Sequence, residues 1–221
     1  MNFVVIERKS NISRQEKYLK DKYFKKLIKL STQFNNIVSQ TFIKNMLYCE
    51  DNEEYKFLFT NFIIGYKEYQ DQLIDLFDLF YKWNPFEKYQ LSQLRGIYLE
   101  LIVYQLLKEK YPKDLIYQEC YIKIGSYNSH TWDILINLDD YPKFYECKFT
   151  PHNLKRKHIN EMIGLTKILP TSLIFLVSLE LRKRILDKLF TLKESHETNF
   201  TEKLEKINLI TIEDFNKNNP F

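Results

Sequence analysis

Cysteine is scarce in this chain of 221 residues, and long apolar segments are missing from it. The three cysteines, Cys49, Cys120 and Cys147, are scattered and never spaced as CxxC. Their spacing argues against a disulfide framework and against a zinc site built from thiolates. No apolar run approaches the roughly 20 residues that a membrane-spanning helix needs. The opening MNFVVIERKSN does not follow the pattern of a secretory signal, so we expect a cytoplasmic protein with no membrane partner.

A large excess of one charge is also missing. Lysine and arginine number 33 against 29 aspartates and glutamates, which gives a formal net charge of +4. This mild basic bias is compatible with a nucleic-acid partner but does not require one. The length suffices for one large hydrophobic core or for two modest domains.

Two short segments of alternating polarity, residues 131–138 and 142–149, predict a pair of β-strands. Asp139 and Asp140 lie between them and favour a turn, because their side chains hydrogen-bond to nearby backbone groups. The simplest arrangement is an antiparallel hairpin with these two aspartates as its loop.

The register of this hairpin brings two carboxylates together. If Leu138 pairs with Tyr141, counting outward pairs Asp133 with Glu146, and directly opposed residues have Cβ atoms about 4.5–5.5 Å apart. Opposed like charges destabilise a sheet, and one of the two groups should stay protonated unless a cation lies between them. A divalent metal ion is one such cation. The alternative is that both carboxylates face solvent on an edge hairpin.

A third carboxylate lies in the helix that precedes the hairpin. From Gly96 to Leu107 the chain reads GIYLELIVYQLL, in which only Glu100 and Gln105 are polar. Such a helix is buried nearly all round, and a buried charge is tolerated only when it is paired or binds a metal. Arg95 is not at the i±3 or i±4 spacing of an ion pair within the helix. The alternative to a metal is therefore a cation from elsewhere in the chain.

Four residues of this region follow a fixed order of secondary structure. A helix bearing Glu100 precedes a strand, then Asp133 at the start of a core strand, then Glu146-x-Lys148 on the next strand, within IYLELI, TWDILI and FYECKF. This order resembles the PD-(D/E)XK nuclease superfamily, which has the restriction-endonuclease-like fold. The resemblance covers roughly residues 91–212. It is most similar to the Mrr-like and resolvase-like branches and to the nuclease domains of CRISPR-associated effectors, although Trp132 stands where many members have Pro.

The resemblance implies a metal-dependent endonuclease whose substrate is DNA rather than RNA. It implies that Glu100, Asp133, Glu146 and the backbone carbonyl of Cys147 bind one or two Mg²⁺ ions, for which Mn²⁺ can substitute. Lys148 would orient the attacking water or neutralise charge on the scissile phosphate, unless it only forms a salt bridge. Two other functions stay open: an effector of antiviral defence that cuts RNA or single strands, and a non-catalytic module that binds nucleic acid.

Three further groups of residues are weaker candidates. Lys155, Arg156 and Lys157 open the helix after the Lys148 strand, where cations oppose the helix dipole. We predict that nucleic-acid phosphates compensate them, and a solvated charge run is the alternative. Gln118 and Glu119 on the strand before Asp133 are a lesser possibility as site residues, and neither His130 nor His152 is assigned a role.

The whole pattern predicts an α/β protein. We expect a helical N-terminal domain over residues 1–90 and a nuclease domain over residues 91–221, whose mixed central sheet is flanked by helices in the order αβββαβ. Residues 1–6 fit either an edge strand or a packed terminus. Helical periodicity predicts helices over residues 13–30, 34–46, 55–83, 96–111, 154–169 and 181–193, and the predicted strands cover residues 115–124, 131–138, 142–149, 172–179 and 207–212.

The N-terminal helices carry more apolar residues than one small bundle needs. Phe57, Phe59, Ile64 and Leu79 lie off the main apolar stripe. An excess apolar face often marks an interface, and most soluble oligomers are two-fold symmetric. We therefore predict a homodimer built through residues 13–83.

Overall fold

A computed structural model describes residues 3–193, 199–215 and 219–221 of the chain. Its strands form one mixed sheet in the order β1-β2-β4-β5-β6-β7, and β3 pairs with β2. Neighbouring strands from β1 to β5 are antiparallel, whereas β5, β6 and β7 are parallel. The strands are β1 (Val4–Glu7), β2 (Ile116–Ile124), β3 (Tyr127–Asn128), β4 (Trp132–Ile136), β5 (Lys143–Cys147), β6 (Leu173–Val177) and β7 (Ile207–Ile210).

Helices cover both faces of this sheet, so the α/β class and the mixed sheet flanked by helices are confirmed. The helices are α1 (Lys9–Leu19), α2 (Lys22–Gln33), α3 (Ile37–Met46), α4 (Asn52–Gly65), α5 (Gln70–Trp83), α6 (Pro85–Lys88), α7 (Leu91–Lys108), α8 (Arg156–Ile168), α9 (Arg182–Thr191) and α10 (Phe200–Leu204). Every strand and helix that the sequence predicts after residue 91 is present, with ends that differ by a few residues. The structure adds the short β3 and α10.

The hairpin of β4 and β5 has the predicted register but a longer loop. Leu135 pairs with Phe144 and Ile136 with Lys143, and the same register continued outward places Asp133 opposite Glu146. The loop spans residues 137–142 rather than two aspartates. Pro142 has no backbone N–H to donate to β4, and its carbonyl instead accepts the N–H of Leu173, 2.9 Å away.

The structure decides one open alternative in the N-terminal third and differs from the prediction there in two ways. Residues 4–7 form a sheet strand, which is one of the two alternatives. The single helix predicted over residues 13–30 is divided into α1 and α2 at Asp21, whose side chain accepts the N–H groups of Tyr23 and Phe24 and so caps α2. The helix predicted over residues 55–83 ends at Gly65 and resumes as α5.

Hydrophobic residues form one core on each face of the sheet. The larger core joins α2, α3, α5 and α7 to sheet residues such as Ile134 and Tyr145. The smaller core joins α8 and α9 to the opposite face, including Trp132 and Phe144. Because the larger core is continuous across residue 90, the domain boundary predicted there stays a prediction.

The apolar residues predicted to form a dimer interface divide into two groups. Phe57 and Ile64 on α4 are 73% and 66% exposed. Leu79 is only 3% exposed and Phe59 is half-buried, and both pack in the larger core, so these two do not belong to an excess apolar face. In the part of the chain that the structure describes, no helix has both the length and the apolar character needed to cross a bilayer.

Candidate metal centre

The alternation of β2 and β4 breaks where two carboxylates face each other. The ladder pairs Gln118 with Ile134 and Cys120 with Trp132 but skips the intervening Glu119 and Asp133. At this point the side chains switch from one face of the sheet to the other. Ile134 belongs to the larger core on one face, whereas Trp132, two residues away, belongs to the smaller core on the opposite face.

Glu119 adopts a left-handed backbone conformation with φ of 46°. A residue with a Cβ atom rarely does so, and the strain, about 1–3 kcal/mol, persists only where the surroundings fix the conformation. The segment from β1 to α1 supplies those surroundings. The N–H of Arg8 donates to the Glu119 carbonyl at 2.8 Å, Asn11 Nδ2 donates to Glu119 Oε2 at 2.8 Å, and Arg14 Nη2 lies 3.8 Å from Glu119 Oε1.

Glu119 meets Asp133 and Glu100, and we call these three residues the carboxylate triad. One oxygen from each lies within 4.8 Å of the others. Glu100 reaches the group from the middle of α7 and is 8% exposed, and Glu119 is 4% exposed. Glu119 was only a lesser candidate in the sequence analysis, although a Gln-Glu pair inside a mostly apolar strand was a signal for it.

Each carboxylate of the triad accepts, at one of its oxygens, a hydrogen bond from its own neutral N–H donor. Gln15 Nε2 donates to Glu100 Oε2 at 2.9 Å, Asn11 Nδ2 donates to Glu119 Oε2, and the backbone N–H of Cys147 donates to Asp133 Oδ2 at 2.6 Å. Gln15 is itself 2% exposed and accepts a hydrogen bond from Gln118 Nε2 at 3.0 Å. These contacts orient the carboxylates without neutralising them, and they leave the second oxygen of each for another partner.

Ionisation is unfavourable for two carboxylates of the triad. Burial, and then the charge of Glu146, raise the pKa of Asp133 well above its usual range, with Lys148 only partly opposing them. Burial and the charge of Glu119 raise the pKa of Glu100, against the hydrogen bond from Gln15. In both residues the charged form is only partly compensated, so a bound cation would stabilise this arrangement.

Glu146 lies beside the triad but has partners of its own. Lys148 Nζ donates to Glu146 Oε1 and lies 3.3 Å from the Cys147 carbonyl oxygen. His130 Nε2 is 3.5 Å from Glu146 Oε2, which is ion-pair distance without hydrogen-bond geometry. Burial alone would raise the pKa of Glu146, but His130 and Lys148 together lower it to about 2. The predicted site residues are therefore close together, with Glu100 and Asp133 in the triad and Glu146 in an ion pair with Lys148.

The basic residues at the start of α8 have different environments. Lys155 and Lys157 are exposed, and their contact with nucleic acid stays a prediction. Arg156 is engaged within the protein, because its Nη1 donates to the Leu192 carbonyl at 3.1 Å and its guanidinium lies 5.2 Å from the centre of the Phe200 ring. A guanidinium stacked on an aromatic ring in this way stabilises the packing of α8.

No protein-family model matches this chain, and no curated protein matches it. Among the solved structures that it matches is the crystal structure of protein VC1899 from Vibrio cholerae, with 11% sequence identity and a TM-score of 0.46. The match covers 97% of this chain and 56% of that protein. The chain thus spans a little over half the length of VC1899.

Proposed function

We propose that this chain is a divalent-metal-dependent nuclease with a restriction-endonuclease-like core, and that it hydrolyses phosphodiester bonds of DNA. The order of α7, β2, β4, β5, α8 and β6 is compatible with the core that the sequence resemblance implies. Glu100, Asp133, Glu146 and Lys148 lie on the elements where that resemblance expects its acidic residues and its lysine.

One observation carries the proposal: the buried carboxylates of Glu100 and Glu119 converge with the half-buried carboxylate of Asp133, and a neutral N–H group orients each of the three. Groups that orient a ligand in this way are typical of metal sites, whereas a structural cluster of buried acids is normally paired with cations. The donor set fits Mg²⁺ or Mn²⁺, since both prefer oxygen ligands. Burial, followed by Asp133, raises the pKa of the Cys147 thiol, so its sulfur is not expected to be a ligand. A bound ion would polarise the scissile phosphate and activate a water molecule.

Lys148 contributes a cation rather than a base. Burial would lower its pKa, but the charges of Asp133 and Glu146 outweigh that effect and raise it. Its side chain is 17% exposed, so its ammonium can contact a phosphate at the edge of the triad and stabilise the negative charge that develops there. Glu146 holds that ammonium in place.

The experiment that tests this function offers the purified protein four substrates: supercoiled plasmid, linear duplex DNA, single-stranded DNA and RNA. Each is incubated with Mg²⁺, with Mn²⁺ and with EDTA. We expect DNA cleavage with either metal, none with EDTA, and none by Asp133→Ala or Glu146→Ala. Asp78→Asn is the control, because Asp78 is a 57% exposed carboxylate on α5 that pairs with Lys82.

The outcomes separate the proposal from its alternatives. Cleavage of RNA or of single strands alone would favour the effector nuclease. Metal-independent binding without cleavage would favour the non-catalytic module. Undiminished cleavage by both carboxylate variants would contradict the site assignment.

We also retain the proposal of a homodimer through the N-terminal helices, supported by the exposed Phe57 and Ile64 on α4. Light scattering at micromolar concentration tests it. A mass of twice 27.0 kDa is expected, which a Phe57→Ser, Ile64→Ser double variant should reduce to the monomer value. A monomeric wild type would rule the dimer out.

A further inference from the structure

Arg14 stands at the border between the carboxylate triad and solvent. Its side chain is 48% exposed, whereas that of its neighbour Glu119 is 5% exposed. Its Nη2 lies 3.8 Å from Glu119 Oε1. Within residues 3–193, 199–215 and 219–221, the guanidinium makes no hydrogen bond or ion pair besides this long one.

Other arginines of the chain are held much more firmly. Arg182 Nη2 donates to Asp214 Oδ2 at 2.8 Å and to the Leu209 carbonyl at 3.1 Å. The guanidinium of Arg95 lies 4.3 Å from the centre of the Tyr48 ring. A separation of 3.8 Å is too long for a hydrogen bond, so Arg14 is not fixed as these arginines are.

Glu119 does not depend on Arg14 for its position. Asn11 holds its carboxylate, and the N–H of Arg8 holds its backbone carbonyl. A structural role would therefore duplicate contacts that already exist. The donors of Arg14 remain accessible from solvent, a few ångströms from the residues that we propose to bind metal.

We propose that Arg14 is a substrate-binding residue, which holds a phosphate oxygen of the nucleic acid beside the triad. This inference rests on the proposed function. A guanidinium is a planar fork of donors that matches the geometry of a phosphate and binds it through two parallel hydrogen bonds. Lys17 follows one turn later and is also exposed, so α1 presents a second cation along the same side of the helix to the adjoining backbone.

Metal affinity, KM and the salt dependence of binding distinguish a phosphate contact of Arg14 from a role in charge balance. If Arg14 only compensates Glu119, its removal makes the triad more negative, so metal binds more tightly and the KM for substrate is unchanged. If Arg14 holds a phosphate, its removal raises KM and reduces the salt dependence of nucleic-acid binding, because one fewer phosphate is neutralised.

The experiment compares Arg14→Ala and Arg14→Lys with Arg184→Ala. Arg184 is a matched control, because it is 67% exposed and lies 3.5 Å from Oε2 of the buried Glu180, in a pair that involves no member of the triad. For each protein we would measure kcat and KM with a 20-base-pair duplex. Binding of the same fluorescently labelled duplex is measured with Ca²⁺ over a range of KCl concentrations, and Mn²⁺ affinity is measured by calorimetry.

We expect Arg14→Ala to raise KM and the duplex Kd about 10- to 100-fold, as the loss of hydrogen bonds to a charged group predicts. The slope of log Kd against log salt should fall by about one. Arg14→Lys should recover part of the affinity, and Arg184→Ala should match the wild type in all of these measurements.

Three results would overturn the inference. One is an Arg14→Ala variant with wild-type KM and salt slope, and another is an equal effect in Arg184→Ala. A third is a fall in kcat with no change in KM, which would assign Arg14 to the positioning of Glu119. A wild type that binds duplex without cutting it, and loses one unit of salt slope in Arg14→Ala, would retain the phosphate contact and refute the nuclease. A wild type that neither binds nor cuts would refute both.

Discussion

Glu180 and Glu100 are buried to the same degree, at 7% and 8% exposure, yet their environments are opposite. Glu180 Oε2 lies 2.9 Å from Lys44 Nζ and 3.5 Å from Arg184 Nη1. Burial alone would raise the pKa of Glu180. The hydrogen bond from Lys44, together with the other groups around the carboxylate, outweighs burial, so the pKa is lowered. Glu100 has a glutamine and two further carboxylates as neighbours, and its pKa is raised.

The difference separates a structural carboxylate from a functional one. The cations beside Glu180 compensate its charge within the fold, so the group is complete. The triad around Glu100 is oriented but only partly compensated, since Arg14 and Lys148 do not offset the effects that raise the pKa of Glu100. Perturbed groups of this kind concentrate at functional sites. Because both groups occur in one chain, each serves as an internal control for the other.

The largest effect should come from removing a triad member. Asp133→Asn keeps the size of the side chain but removes its charge, and a metal's stabilisation of the transition state is worth several kcal/mol. We expect cleavage to slow by about a thousandfold or more, measured under single-turnover conditions. Circular dichroism should show an unchanged fold, and a variant that cuts at the wild-type rate would remove Asp133 from the mechanism.

Removing the structural carboxylate should affect stability instead of activity. Glu180→Gln leaves Lys44, 13% exposed at its side chain, without its anion, and breaking a buried pair in this way costs about 3 kcal/mol. Urea unfolding would measure the loss, which Lys44→Met should partly restore. Since the folded-state pKa of Glu180 is lowered from 4.5, its contribution is present above that value and is lost as the pH falls below it. Equal stability of wild type and Glu180→Gln at neutral pH would contradict the structural role of Glu180.

Residues that orient the triad should have a smaller effect, on metal binding. Gln15→Ala frees the carboxylate of Glu100 from its amide, and loss of such an orienting contact typically weakens metal affinity about 10- to 100-fold. Calorimetric titration with Mn²⁺ measures this change. Gln93→Ala, an exposed glutamine at the start of the same helix as Glu100, should bind Mn²⁺ as the wild type does. An unchanged Kd in Gln15→Ala would show that α1 only packs against the site.

The smallest effect, and one of opposite sign, is expected for Glu100→Gln in EDTA. The substitution removes an uncompensated charge, so the variant should be as stable as the wild type or about 1 kcal/mol more stable. The pKa of Glu100 is raised in the folded state, so protonation stabilises the wild type, and the gap should close as the pH is lowered. Thermal melting over a pH series tests this. A large loss of stability would make Glu100 a structural residue like Glu180.

Local sequence patterns predicted the part of the site that depends on neighbouring residues. The turn predicted at Asp139 and Asp140 gave the register that places Asp133 opposite Glu146, although the loop is longer than that turn. The apolar surroundings of Glu100 predicted its burial. The contacts of α1 could not be predicted in this way. Gln15 meets Glu100 across 85 positions of the chain, and Asn11 meets Glu119 across 108. No local pattern encodes such a meeting.

The left-handed conformation of Glu119 could not be predicted from the sequence either, because it arises from tertiary contacts that fix an otherwise unfavourable φ. The same reason explains why the packing of Arg156 could not be predicted. A basic run looks uniform in sequence, and only the packed structure shows that the ring of Phe200 lies beneath one member of it.

The most direct test of the central claim is a crystal of the wild type soaked in Mn²⁺ and measured at a wavelength where manganese scatters anomalously. We expect an anomalous peak between Glu100, Glu119 and Asp133, which disappears in Asp133→Asn and persists in Glu180→Gln. A triad that stays without a peak at millimolar Mn²⁺ would contradict it, and so would a peak confined to another part of the molecule.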